Sequence, residues 1–166
     1  MSTVYLSLGS NLGDRLANIK KALRMLESRV DVYGVSSVYE TEPWGLKNQP
    51  SFLNVACAGQ TDLTPHALLS FVKGIEQQMG RQATVRYGPR HIDIDILFYD
   101  HLILNSSKLQ IPHPRLADRA FVLCPLAEIA PDLEHPVTGK TISAMLAEIE
   151  EPETVRRYVA YCSNDL

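Results

Sequence analysis

The segment that most constrains this chain is Ile92-Asp93-Ile94-Asp95-Ile96-Leu97-Phe98, because it fixes a secondary structure and a place where charge must collect. Ile92, Ile94, Ile96 and Phe98 alternate with Asp93, Asp95 and Leu97, the period of two that a β-strand imposes. One face of that strand is expected to be apolar throughout. The other carries a carboxylate at i and another at i+2, with Cα atoms roughly 6.5 Å apart at ~3.3 Å rise per residue. Two carboxylates so placed repel, and one tends to take up a proton unless a cation joins them. Magnesium suits the pair, since it takes oxygen ligands and usually enters a site with substrate phosphates. An edge strand with an acidic solvent face is the plainer alternative. The surrounding cations favour the metal.

Five of the ten arginines (Arg81, Arg86, Arg90, Arg115 and Arg119) fall between residues 81 and 119, around the aspartates. Arginine forks match phosphate oxygens, so cations around an acidic metal site point to a polyphosphate ligand. The net charge of −3 argues against a protein held on nucleic acid by general electrostatics. A length of 166 residues suits a single domain over 1–166 that buries about 70% of its unfolded surface. No stretch approaches ~20 apolar residues, so no membrane span is expected. The start of the chain lacks a basic segment before its short apolar run, so no secretory leader is expected. Three cysteines without metal-like spacing read as buried thiols of a reducing, cytoplasmic compartment.

The alternating run Thr3 to Leu8 reads as a strand, followed by a turn at Gly9-Ser10-Asn11-Leu12-Gly13. Asp14 is a natural cap for a helix with Leu16, Ile19, Leu23 and Leu26 on one side. Val30 to Tyr39 reads as a second strand and Phe52 to Gln60 as a third, with a proline-bounded loop between them. Thr64-Pro65 starts a second helix, striped with Leu68, Val72, Ile75 and Met79 and stopped by Gly80. The Asp-bearing segment is then the fourth strand. This β-α-β-β-α-β order predicts an α+β, ferredoxin-like fold: a four-stranded antiparallel sheet with two helices on one face, plus a C-terminal extension. A short strand or hairpin within 102–111, short helices over 121–129 and 141–149, and either a docked strand or a frayed tail are expected in that extension.

With the helices covering Leu53, Val55, Ile92, Ile94 and Ile96, the opposite face should present Phe52, Asn54, Asp93 and Asp95 together. Phe52 and Phe121 could clasp a flat heterocycle or simply cap the core; stacked rings gain energy beyond their area burial. The Asn54 amide offers donors and an acceptor to such a ring's edge. His113, between two prolines, could donate to phosphate or be an ordinary surface histidine, and Arg119, two residues before Phe121, is a candidate phosphate contact. Glu76 should point to solvent, with a chance of meeting a ligand. The glycine-rich turn at 9–13 lacks the Gly-Lys-Ser/Thr ending of a phosphate loop, and is expected to be a tight turn with a helix cap.

Together these residues resemble the 6-hydroxymethyl-7,8-dihydropterin pyrophosphokinases of folate biosynthesis. The matching pieces are Gly9-Ser10-Asn11-Leu12-Gly13, Ser36-Ser37 with Tyr39-x-Thr41-x-Pro43, and Phe52-Leu53-Asn54. Gly88-Pro89-Arg90 with Asp93-x-Asp95, Pro112-His113 and Arg119-x-Phe121 complete the set, in the family's order. The resemblance implies transfer of the terminal diphosphate of ATP to the pterin hydroxymethyl group, with release of AMP. It implies two Mg2+ ions on Asp93 and Asp95. It also implies a pterin pocket of Thr41, Trp44, Phe52, Asn54 and Phe121. ATP contacts would come from Glu76, Arg81, Tyr87, Arg90, His113 and Arg119, with Arg90, Asp93, Asp95, His113 and Arg119 carrying the chemistry. A monomer, with neither nucleic acid nor membrane as partner, is the expectation that goes with it.

Two departures stand out. The stretch Arg81-Gln82-Ala83-Thr84-Val85-Arg86 has no basic residue between its ends, and Trp44 is larger than the aliphatic residue often found there. A metal-dependent phosphohydrolase using the same aspartates, or a non-catalytic binding module of the same fold, are the rival readings, because a fold alone does not fix function.

Overall fold

The computed structural model describes residues 1–42, 48–80, 90–149 and 155–159. Strand β1 (Ser2–Ser10) leads into helix α1 (Arg15–Leu26), whose N-terminus is capped by the Asp14 carboxylate accepting from the Ala17 N–H at 3.2 Å. Strands β2 (Val30–Val35), β3 (Val38–Thr41) and β4 (Phe52–Thr61) follow. Helix α2 (Pro65–Gln78) is capped by Thr64, and Gly80 just past its end takes a left-handed φ of 90°. Strand β5 (Asp93–Tyr99) carries the aspartates.

Where one second strand was expected there are two. Val35 lies opposite Cys57 and Tyr39 opposite Asn54, so between these pairs three residues on one side face two on the other. The excess is taken up at Ser36-Ser37. The buried Ser36 hydroxyl accepts the Ala56 N–H at 2.9 Å, in place of a ladder carbonyl. The expected four-stranded sheet is thereby corrected. Among the described residues it has six antiparallel strands in the order β5-β1-β4-β3, then β8 (Val155–Val159), with β2 also paired to β4.

Helices α1 and α2 cover one face, where Val4, Leu6, Leu8, Leu53, Val55, Ile92, Ile94 and Ile96 meet Ile19, Leu23, Leu68 and Val72. This is the face that alternation assigns to the core. Phe98, expected among the same isoleucines, lies on the other side. Leu6 pairs with Ile96 but Tyr5 with Phe98, so Leu97 is an extra residue and the alternation slips there. Phe98 then joins Leu97 in a second apolar cluster and meets Tyr5 edge-on, ring centroids 6.2 Å apart.

That second cluster is supplied by the chain after β5. The short hairpin of β6 (Leu104–Asn105) and β7 (Gln110–Ile111) precedes a 3-10 turn (Leu116–Asp118), helix α3 (Ala120–Ile129) and helix α4 (Ile142–Ala147). Leu116, Val122, Leu123, Leu126, Ile142 and Met145 pack over Leu97, Phe98 and Ala56. Part of the face opposite α1 and α2 is thus covered by the extension. The uncovered part holds the aspartates.

Candidate active site

The uncovered part of the sheet forms a cleft of about 280 Å³. Its floor is made of neighbouring strands in register: Asp93 beside Gly9, Asp95 beside Ser7, and Asn54 beside Gly9 on the other side of β1. A Cβ on Gly9 would come within 2.7 Å of Asn54 Oδ1, so only glycine leaves that amide where it is. Asn54 donates from Nδ2 to the buried Thr41 hydroxyl at 2.9 Å, which sets the direction of its amide.

Phe52 and Phe121 both line the cleft, one from β4 and the other from the first turn of α3. The Arg119 guanidinium stands over the Phe121 ring at 5.5 Å, so one segment brings a ring and a cation to the same wall. Arg90 Nη1 pairs with Asp93 Oδ1 at 3.3 Å. The Arg90 backbone is held from both sides by Asn11: its N–H donates to Asn11 Oδ1 at 2.7 Å, and its carbonyl accepts the Asn11 N–H at 3.1 Å.

Burial, and next the charge of Asp93, pushes the Asp95 carboxyl up to about 7; Arg119 and Lys73 pull the other way. An acidic pair that resists full ionisation by itself is one that a divalent cation relieves. Among the described residues no cluster of three His, Cys, Asp or Glu side chains forms a complete protein cage. Two carboxylates that leave most positions open fit magnesium entering with phosphate oxygens better than a structural metal.

His113 is pushed down to about 4, first by burial and then by the Arg119 charge. It is neutral at physiological pH, and its Nδ1 accepts the Arg115 N–H at 3.2 Å. The proton therefore sits on Nε2, which makes His113 a neutral donor toward the cleft.

Arg90, Asp93, Asp95, His113, Arg119, Thr41, Phe52, Asn54 and Phe121 all line this one cleft. Trp44, Arg81 and Tyr87 lie outside the described residues. Glu76 is corrected: it is 1% exposed, not solvated, and its Oε2 accepts the Ile94 N–H at 2.8 Å on the free edge of β5. Ser7, Glu42 and Lys73 also line the cleft without having been singled out, and Gly9, named only for its turn, lines it too. Ser7 and Gly9 were readable, because they alternate with Leu6 and Leu8 as the aspartates do with the isoleucines. Lys73 gave no such signal. It sits on the helix covering the opposite face and reaches the cleft only because α2 packs along the sheet's edge strand.

A family model described as 7,8-dihydro-6-hydroxymethylpterin-pyrophosphokinase matches residues 5–131. The 2-amino-4-hydroxy-6-hydroxymethyldihydropteridine pyrophosphokinase of Aquifex aeolicus is 43% identical over 148 residues, 89% of this chain and 92% of that protein. The folic acid synthesis protein FOL1 of Dictyostelium discoideum is 48% identical over 142 residues, but this chain spans only 22% of its length. The fold resembles that of Plasmodium falciparum HPPK-DHPS crystallised with pteroate, with a TM-score of 0.74 at 17% identity over 89% of this chain and 44% of that one. The matched residues run from β1 through α3 and take in every residue placed in the cleft, so the chain belongs to the 7,8-dihydro-6-hydroxymethylpterin-pyrophosphokinase family.

Proposed function

We propose that the protein carries out its family's reaction: it transfers the terminal diphosphate of ATP to the hydroxymethyl group of 6-hydroxymethyl-7,8-dihydropterin, giving AMP and the pterin diphosphate for folate synthesis. The observation that carries the reading is the division of one cleft into two chemistries. At one end two rings and a fixed amide suit a flat, hydrogen-bonding heterocycle. At the other an acid pair and cations suit polyphosphate.

Phe52 and Phe121 take the pterin between their faces, and Asn54, steadied by Thr41, reads its edge. Trp44 is assigned to pterin binding by the family resemblance alone. Asp93 and Asp95 would hold two magnesium ions, whose charge would offset that of the phosphates and polarise the phosphorus. Arg90 and Arg119 bind phosphate oxygens as forks, and the His113 Nε2–H donates to another. Tyr87 and Arg81 are assigned to nucleotide binding by the family resemblance alone. Phosphoryl-type transfer asks mainly for positioning and charge stabilisation, and this side-chain set supplies both.

A second cleft of about 320 Å³ adjoins the first through Lys73, Asp95 and His113. Its walls include Leu69, Ile96, Leu109 and Pro114, with Ser106 and Gln110 between them. That mixture suits a nucleoside, so ATP lies across the two clefts with its phosphates at the aspartates.

The chain is read as a ferredoxin-like core, β1-α1-β2/β3-β4-α2-β5, extended by α3, α4 and β8 into one domain over residues 1–166. A cytoplasmic monomer with small-molecule partners suits that reading, and no helix among the described residues is long and apolar enough to cross a membrane. The test is to incubate the protein with ATP, magnesium and hydroxymethyl-dihydropterin and to measure AMP. AMP that forms only when the pterin is present is the expected result. Phosphate released without pterin would indicate a hydrolase instead, and no turnover would leave a binding module.

A further inference from the structure

Lys73 is the one residue of α2 that lines both clefts, and it does so where they join. Its stem leaves the helix beside Val72, which is buried in the core, while its ammonium group remains half-exposed. The ammonium is not left to wander. Nζ lies 3.1 Å from Glu76 Oε1, one turn further along the helix. Glu76 is itself fixed, because its other oxygen accepts the Ile94 N–H at 2.8 Å, between the two aspartates. A buried carboxylate anchored to the edge of β5 thus aims a lysine along the border of the acid pair.

We propose that Lys73 binds the phosphate of ATP nearest the nucleoside and neutralises the charge that gathers there as AMP leaves, with Glu76 as its positioning residue. This deepens the reading above and rests on it. In that reaction the pterin hydroxyl oxygen bonds to the β-phosphorus, and the bond from that phosphorus to the bridging oxygen of the α-phosphate breaks. The electron pair departs with AMP, and the hydroxyl proton is released to water. Negative charge therefore grows on the side of the phosphate chain that faces the nucleoside cleft. A cation at the junction of the clefts meets it. The plainer role for Lys73, a helix pair of opposite charge with Glu76, predicts a change in stability alone.

The experiment measures binding of α,β-methylene-ATP with magnesium by calorimetry, and steady-state kinetics, for the parent protein, Lys73→Gln, Lys73→Arg and Glu76→Gln. Lys73→Gln is expected to weaken the nucleotide analogue about tenfold, the loss of one charged hydrogen bond, and to lower kcat while leaving the KM for pterin unchanged. Lys73→Arg should restore most of the binding. Glu76→Gln keeps an acceptor for Ile94 but not the charge that aims the lysine, so it should show the same pattern in milder form. Unchanged analogue binding in Lys73→Gln, a KM for pterin that rises in step with the KM for ATP, or no recovery with arginine would each overturn the proposal. If the parent protein itself fails to bind the analogue, the pyrophosphokinase reading fails with it; if the parent binds and Lys73→Gln binds equally, only the role of Lys73 is lost.

Discussion

Asp95 carries a conflict that the rest of the site resolves. Its carboxyl ionises near 7 in the folded chain against an ordinary 3.8, because burial and Asp93 both oppose its charge. Folding therefore holds a proton on Asp95 that the unfolded chain would release. Stability contributed at low pH is lost as pH rises from about 4 towards 7. Asp95→Asn is expected to stabilise the metal-free protein at pH 8 by roughly 1–2 kcal/mol, to change it little at pH 4, and to abolish AMP formation. Denaturant titrations at the two pH values, beside the AMP assay, check this. Equal stability of variant and parent at pH 8 would mean that neither burial nor Asp93 opposes the charge on Asp95. His113 works in the opposite sense: with its folded value near 4 and an ordinary 6.5, it withdraws stability as pH falls between those limits. Both aspartates were visible in the sequence because alternation alone puts them on one face. The burial of Glu76 was not, since it depends on the edge of β5 presenting an N–H that no strand takes.

Among the elements, the turn between β1 and α1 has the widest reach for its length. Gly13 takes a φ of 72°, and an added Cβ would meet the His91 ring at 3.5 Å. Asn11, buried in the same turn, donates to Gln49 Oε1 at 2.8 Å and to the Pro50 carbonyl at 3.1 Å, besides receiving the Arg90 N–H. One amide thus joins the chain leading to Phe52 with the chain leading to Asp93. As a phosphate loop the turn was an unpromising candidate, and its role in the fold is mechanical. Asn11→Ala leaves the Arg90 N–H without its acceptor and is expected to cost on the order of 2 kcal/mol. Because Arg90 and Phe52 both hang from these contacts, the KM values for ATP and pterin should rise together. A denaturation midpoint equal to the parent's would mean that water replaces the lost partners. The break between β2 and β3 belongs at this scale too. Val30 to Tyr39 has the composition of a continuous strand, and only the Ser36 hydroxyl, bonding the Ala56 N–H, shows why the ladder steps there.

At the level of the whole molecule, one sheet is packed on both faces by different parts of the chain. The first 80 residues supply α1 and α2, and the segment after β5 supplies α3 and α4. The outer strand β8 is tied to this body by charge as well as by its ladder. Arg156 meets Glu40 at 2.6 Å, Arg15 meets the same carboxylate at 2.8 Å, and together they hold Glu40 below the usual carboxylate range. Glu128 of α3 takes the Ser37 N–H and the Tyr39 hydroxyl, each at 2.6 Å, so the second layer is pinned at the step between β2 and β3. Since both layers share β4 and β5, they should unfold together. Leu123→Ala, emptying a fully buried position on the inner side of α3, is expected to cost about 3 kcal/mol. It should do so in a single transition seen alike by circular dichroism and tyrosine fluorescence. Two separated transitions would show the second layer to be an independent unit.

From its own residues the chain determines the strands and helices, the apolar face of the sheet and the grouping of Asp93, Asp95, Phe52 and Asn54, because periods of 2 and 3.6 are local properties of the backbone. Tertiary structure alone decides that Leu97 is an extra residue sending Phe98 to the other layer. It also decides that α3 covers part of the open face, and that Lys73 from the opposite face reaches the acid pair. Each of these depends on which strand lies at an edge and which surface is already filled, and those are relations between segments distant in the chain.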